Sequence, residues 1–132
     1  MSKIVIPWLS PERDFYKDYL KALDQAGFDT RIFTGLDTAL RDFQVITYPL
    51  VLVDLEIEIN PREPGFEVIS RIREASANKS TVIATGMYQR INDDVAGNTQ
   101  ERCLEAGAVD YLDLYTLKPR DLVSKVREHM PK

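Results

Sequence analysis

The feature that most constrains the fold is an apolar run that ends in a carboxylate. Residues 50–53 are all aliphatic, without polar alternation, and Asp54 follows them directly. A parallel strand that is covered by helices on both faces needs this pattern, because neither of its sides meets water. Functional sites of open α/β sheets gather at the carboxyl ends of their strands. The run therefore predicts a central strand with Asp54 at a functional edge. The alternative is an acid that only ends the strand and faces solvent.

The rest of the chain alternates apolar runs with amphipathic segments, five times in all. A strand that is followed by a helix and then by another strand favours a parallel sheet with right-handed crossovers. The length of 132 residues suits one domain, which we expect to span residues 1–132. The expected strands are 3–8, 28–33, 50–53, 81–85 and 109–112, and the expected apolar stripes of the helices lie within 15–26, 36–43, 66–72, 102–104 and 117–126.

Charge and cysteine content exclude several classes of function. The net charge of −4, from 21 acidic and 17 basic side chains, has the wrong sign for a general nucleic-acid binder. Cys103 and His129 are the only cysteine and the only histidine, so they cannot build a zinc site. We read Cys103 as a buried small apolar residue and His129 as a surface residue near a helix end. No signal peptide or membrane-spanning run is evident, so we expect a cytoplasmic protein without a membrane partner.

Several motifs resemble the receiver domain of two-component response regulators over essentially the whole chain. Asp54 ends an apolar strand and precedes a Pro/Gly loop and an amphipathic helix, Thr85 ends the fourth strand, and the segment LEAGAVDYL contains Tyr111. The resemblance implies a flavodoxin-like, CheY-like fold, which is a doubly wound five-stranded parallel sheet of order 2-1-3-4-5 in three α/β/α layers. It also implies that Asp54 is the phosphoacceptor, that Thr85 contacts the phosphoryl group and that Tyr111 is the switching aromatic residue.

The sequence departs from the receiver pattern where magnesium would bind. The family has two adjacent carboxylates after the first strand, but the matching positions here hold Trp8 and Leu9. An indole and an isobutyl group cannot supply the oxygen ligands that magnesium demands. Glu12 and Glu56 are weak replacement candidates, which are otherwise read as a helix-start acid and a solvated loop acid. We therefore expect no cofactor, with Mg²⁺ needed only if Asp54 is phosphorylated.

The lysine that contacts the phosphoryl group in the family is also displaced. Here Lys118 and Pro119 lie seven and eight residues beyond Tyr111, about four residues too far. The simplest alignment places Leu114 at the lysine position and Lys118 at the start of the last helix. A rearranged loop that folds Lys118 back remains the alternative. Two polar loops, 56–64 and 89–98, are longer than the family norm and would lie on the same side of the sheet.

These observations favour a degenerate receiver, or pseudo-receiver, that signals through protein contact rather than by catalysis. No segment follows the closing helix in this sequence, so we expect output through a partner, either a histidine kinase or a downstream signalling protein. A homodimer is also left open. The family's usual docking face corresponds here to residues 100–104, 109–114 and 122–127.

Two other functions stay open at this stage. A working receiver would be phosphorylated on Asp54, with Glu12 or Glu56 replacing the lost acids. A small-ligand-binding flavodoxin-like module would instead have a deep pocket beside Asp54 and Thr85. The contents of the crevice around Asp54 distinguish these hypotheses, since the interaction hypothesis expects Trp8 or Leu9 to fill it.

Overall fold

A computed structural model describes residues 3–9, 16–55, 65–77, 79–86, 93–114 and 116–131. For residues 65, 66 and 93–99 it describes the backbone only. Within these residues, no helix is both long enough and apolar enough to cross a bilayer.

Five parallel strands form one sheet in the order β2-β1-β3-β4-β5. This order confirms the flavodoxin-like, doubly wound fold that the sequence predicted. The strands are β1 (Ile4–Leu9), β2 (Phe28–Phe33), β3 (Leu50–Asp54), β4 (Thr81–Gly86) and β5 (Asp110–Asp113). Every residue of β3 is fully buried, as expected of a central strand that has neighbours on both edges and helices on both faces.

The described helices follow the strands in strict alternation: α1 (Lys17–Gln25), α2 (Leu36–Val45), α3 (Gly65–Ala75), α4 (Asp93–Ala106) and α5 (Pro119–His129). Local chemistry sets several of their ends. Gly27 has a φ of 97°, a left-handed conformation that suits the residue after a helix. Pro119 opens α5, where a missing N–H costs nothing, and the Asp121 carboxylate accepts a hydrogen bond of 3.1 Å from the Lys118 backbone N–H.

One predicted loop is shorter than the sequence indicated. Residues 93–98, which we expected to lie in the long loop 89–98, belong to the first turns of α4. The segment is polar and contains Gly97, so its hydrophobic periodicity is too weak to predict a helix. Asp93 and Asp94 at its start suit the positive end of the helix dipole. The loop 56–64 and residues 89–92 lie outside the described residues.

Alternation along the strands divides the buried side chains between the two faces of the sheet. On one face, Val51 and Val53 of β3 pack with apolar residues of α2, α3 and α4. On the other face, Leu50 and Leu52 pack with residues of α1 and α5. Because successive side chains of a strand point to opposite faces, Asp54 follows Leu50 and Leu52 onto the α1/α5 face.

Candidate functional site

Asp54 lies at the carboxyl end of β3 and is fully buried, so it does not face solvent. Its register partner on β4 is Thr85, which is also fully buried. Beyond this pair the two strands remain joined, since the Leu55 N–H donates a hydrogen bond of 2.8 Å to the Thr85 carbonyl. The sheet therefore brings together the two residues that the sequence placed at the ends of separate strands.

A set of hydrogen bonds surrounds Asp54 on the α1/α5 face. The Tyr16 hydroxyl donates to Asp54 Oδ2, and the Thr85 hydroxyl lies 3.4 Å from the same oxygen. The indole N–H of Trp8 in turn donates to Thr85 Oγ1 over 3.2 Å. The threonine thus accepts from the indole and donates to the carboxylate. We call Trp8, Tyr16, Asp54 and Thr85 the crevice cluster.

The two residues at the acidic-pair positions point to opposite faces of the sheet. Trp8 is fully buried on the α1/α5 face, and its ring centroid lies 4.8 Å from that of Tyr16. Leu9 is equally buried but packs with the α2/α3/α4 side. Of the two, Trp8 is therefore the residue that enters the crevice cluster, and its ring stacks beside the phenol that contacts Asp54.

Among the described residues, the side chains that hydrogen-bond to Asp54 are not typical magnesium ligands. Magnesium requires oxygen ligands in near-octahedral geometry and is usually bound through carboxylates. Tyr16 and Thr85 instead bring a phenol and an aliphatic hydroxyl to Asp54, and the indole of Trp8 contacts Thr85. Across the part of the chain that the structure describes, no three histidine, cysteine, aspartate or glutamate side chains are grouped as metal ligands. The two replacement candidates, Glu12 and Glu56, lie outside the described residues.

Leu114 and Lys118 lie at the two ends of the connection between β5 and α5. Leu114 is only 3% exposed, and its N–H donates to the Gly86 carbonyl over 2.9 Å. The Tyr19 hydroxyl contacts the carbonyls of Leu114 and Leu117, at 2.8 and 2.7 Å, and so ties this connection to α1. Lys118 is exposed and forms the N-cap of α5. Its backbone N–H bonds to Asp121 at the start of the helix.

Tyr111 packs on the face of the sheet opposite to the Thr85 hydroxyl. Its half-buried ring lies with the α2/α3/α4 side. A Cβ atom built on Gly86 would come within 3.0 Å of its hydroxyl oxygen, so glycine leaves room for the ring at the end of β4. Thr85 and Tyr111 are therefore linked through the backbone of β4 and β5 rather than by facing side chains.

The predicted docking face contains apolar, charged and buried residues. Leu104 on α4 and Val109 before β5 are exposed by 46% and 41%. His129 Nε2 lies 3.1 Å from Asp110 Oδ2, which joins the last turn of α5 to the first residue of β5. Cys103, on α4, is fully buried. Burial raises the pKa of its thiol to about 12, so the thiol stays protonated at neutral pH.

A surface groove of about 290 Å³ lies between α2 and α3, on the face of the sheet opposite to Asp54. It is lined by Leu40, Gln44, Arg71, Glu74 and Ala75. This groove is not the pocket beside Asp54 and Thr85 that a small-ligand module of the predicted kind would use.

Sequence reasoning missed Tyr16 as a partner of Asp54. Tyr16 falls within the predicted apolar stripe of residues 15–26, and that pattern assigns it no polar contact. The available signal was its hydroxyl, because a buried tyrosine usually finds a hydrogen-bond partner where a phenylalanine needs none. The identity of that partner depends on how α1 crosses the sheet, which the sequence pattern does not specify.

Solved structures with this fold are numerous. The beryllofluoride-activated NtrC4 receiver domain dimer superposes with a TM-score of 0.77 at 16% identity, over 96% of this chain and 95% of that one. A response regulator from Thermotoga maritima gives 0.73 and 21%, over 98% of both chains. An orphan response regulator of H. pylori gives 0.74 and 17%, over 97% of both chains. No protein-family model matches the sequence, and no curated protein matches it. At these identities the likeness establishes a receiver-type fold.

Proposed function

We propose that the chain is a receiver-like signalling domain of a two-component pathway, closed at its phosphorylation crevice and acting through protein contact. The receiver-type fold supports the pathway class. The observation that supports a closed crevice is the position of Trp8. This residue, which the resemblance aligns with one acid of the pair, is fully buried and hydrogen-bonds to Thr85. Phosphoryl transfer to a carboxylate needs charge neutralisation and an open line of attack. The described crevice cluster instead presents aromatic rings and hydroxyl groups. On this proposal the chain is no enzyme and works in the cytoplasm.

Treatment with acetyl phosphate and Mg²⁺, followed by intact-mass and peptide mass spectrometry, tests the proposal. We expect Asp54 to remain unmodified, because the described residues around it do not fit the metal. A receiver domain that retains its acidic pair serves as the positive control in the same reaction. A phosphorylated Asp54 that disappears in the variant Asp54→Asn would overturn the closed-crevice proposal.

A working receiver is the second candidate, and the contact between Thr85 and Asp54 favours it. A hydroxyl that already faces the carboxylate at 3.4 Å is well placed to donate to an added phosphoryl oxygen. In that case Glu12 or Glu56 would complete the metal site, Lys118 would have to reach the crevice, and Tyr111 would respond to the change at Thr85. Glu12→Gln and Glu56→Gln would then abolish the phosphorylation that wild-type protein shows.

The partner surface that we propose is the face of residues 100–104, 109–114 and 122–127. Leu104 and Val109 provide exposed apolar area on it, with charged side chains around them. A histidine kinase, a downstream signalling protein or a second copy of the chain could use such a face, and one of the similar structures is a dimer. Leu104→Asp should weaken an interaction there. Val45→Asp, at an exposed apolar residue on α2, is the matched control.

A further inference from the structure

The Tyr16 phenol holds the start of α1 over Asp54. Tyr16 is the N-cap residue of α1, its side chain is 2% exposed, and its hydroxyl donates to Asp54 Oδ2. The Trp8 ring packs against the same phenol. A reagent that reaches the buried carboxylate from this side must therefore displace Tyr16.

We propose that Tyr16 is an autoinhibitory latch, whose hydrogen bond keeps Asp54 from reacting with electrophiles, including phosphoryl donors. The inference rests on the proposed function, since it explains how the crevice stays closed. A hydrogen bond to a buried carboxylate is stronger than one between neutral groups, and an unmade bond at such a site is costly. Opening the latch therefore costs the free energy of the hydrogen bond between Tyr16 and Asp54, in addition to the cost of moving the aromatic ring.

Tyr19 offers a matched control on the same helix. Its hydroxyl makes part-buried contacts, and these join the carbonyls of Leu114 and Leu117 rather than Asp54. Tyr16→Phe and Tyr19→Phe each remove one hydroxyl from α1 and keep the ring. If the latch is specific, the first variant exposes Asp54 and the second does not.

The experiment is carbodiimide labelling of carboxyl groups with glycine ethyl ester, read by peptide mass spectrometry. It needs neither metal nor phosphate, so it measures access to Asp54 directly. We expect Tyr16→Phe to raise the labelling rate of Asp54 about tenfold, the change in an opening equilibrium expected from one lost hydrogen bond to a buried charge. Tyr19→Phe should leave the rate unchanged. Exposed Asp37 is the internal reference.

Two native residues separate latch opening from general loosening. Trp8 is the only tryptophan of the chain and contacts Tyr16, so acrylamide should quench its fluorescence more in Tyr16→Phe than in Tyr19→Phe. Cys103 is the only cysteine and is fully buried, on the face of the sheet opposite to the crevice cluster. Its alkylation rate should not rise in either variant. Equal rises at Asp54 and Cys103 would mean global opening and would overturn the latch.

Phosphorylation of the wild-type protein separates failure of the latch from failure of the proposed function. If acetyl phosphate with Mg²⁺ modifies Asp54 in the wild type, the closed-crevice proposal fails. If the wild type stays unmodified and Tyr16→Phe labels no faster than wild type, only the latch fails.

Discussion

Among the described residues, the hydroxyls of Tyr16 and Tyr48 each donate to an aspartate, and the two pairs have very different surroundings. Tyr16 contacts Asp54 inside the crevice cluster, where both residues are buried. Tyr48 contacts Asp42 beside β2, where the Asp42 side chain is 23% exposed. Arg31 completes this second pair, with its Nη1 atom 2.6 Å from the Tyr48 hydroxyl and 3.6 Å from Asp42 Oδ2.

The comparison shows how burial changes the contribution of a tyrosine–aspartate hydrogen bond to stability. Arg31 and solvent both stabilise the charge of Asp42, so Tyr48 adds one contact among several. At Asp54 the hydroxyl groups of Tyr16 and Thr85 lie against the carboxylate, and the Trp8 and Tyr16 rings limit access of water. Electrostatic interactions are stronger where water is excluded, and losing a partner costs more there. Loss of the buried hydroxyl should therefore have the larger effect.

Removing the ring that shields the buried pair should have the largest effect on stability. Trp8→Ala deletes a fully buried indole and the donor to Thr85, so we expect the free energy of unfolding to fall by about 3–5 kcal/mol. Urea denaturation followed by circular dichroism measures the change. Trp8→Phe, which keeps most of the apolar area but loses the N–H, should cost less. A loss from Trp8→Ala as small as that of a surface substitution would contradict the role of the indole as core.

Tyr16→Phe should rank second, with a loss of about 1–3 kcal/mol, because a buried carboxylate loses one of its hydrogen-bond donors. The same denaturation experiment applies. The double variant Tyr16→Phe with Trp8→Ala tests the reason: once the indole is gone, water can reach Asp54 and the cost of losing the hydroxyl should shrink. Strict additivity of the two losses would show that the indole does not shield the pair.

Tyr48→Phe should cost less, about 0.5–1 kcal/mol, because Arg31 and Asp42 can still pair and water can reach them. The measurement is again urea denaturation. Asp42→Asn is a second variant that tests the interactions of Arg31, Asp42 and Tyr48. A loss that equals or exceeds that of Tyr16→Phe would reverse the comparison between the two regions.

The smallest expected effect is a dependence of stability on alkaline pH. Burial, and then the hydrogen bond to Asp42, raise the pKa of Tyr48 from 10.0 to about 12, against the opposing influence of Arg31. The protonated phenol is favoured in the folded state, so its contribution is complete below pH 10.0 and is lost as pH rises toward 12.

Denaturation of wild type and Tyr48→Phe at pH 8, 10 and 11 isolates this contribution. Tyr19, whose pKa is also raised, chiefly by burial, titrates alike in both proteins and cancels in the difference. The gap between the two proteins should narrow as pH rises. A gap that stays constant would mean that Tyr48 does not titrate differently in the folded and unfolded states.

The fold was largely predictable because each strand is a short apolar run bounded by turn residues. β2 occupies the predicted residues 28–33, and β3 differs from its prediction only by including Asp54. The start of α4 was not predictable, because a polar helix carries little hydrophobic periodicity. Asp54 and Thr85 could be placed near each other from strand order alone, since parallel strands end at one edge of the sheet.

The sequence by itself determined the alternation of strands and helices, the burial of β3 and the apolar character of Trp8 and Leu9 at the end of β1. These follow from hydrophobic pattern and residue chemistry, which are local properties. Tertiary structure decided that Trp8 rather than Leu9 enters the crevice, and that the hydroxyl of Tyr16 meets Asp54. Such contacts join residues 38 and 77 positions apart, as in the Tyr16–Asp54 and Trp8–Thr85 bonds. Their geometry depends on how helices pack across the twisted sheet, which no local pattern records.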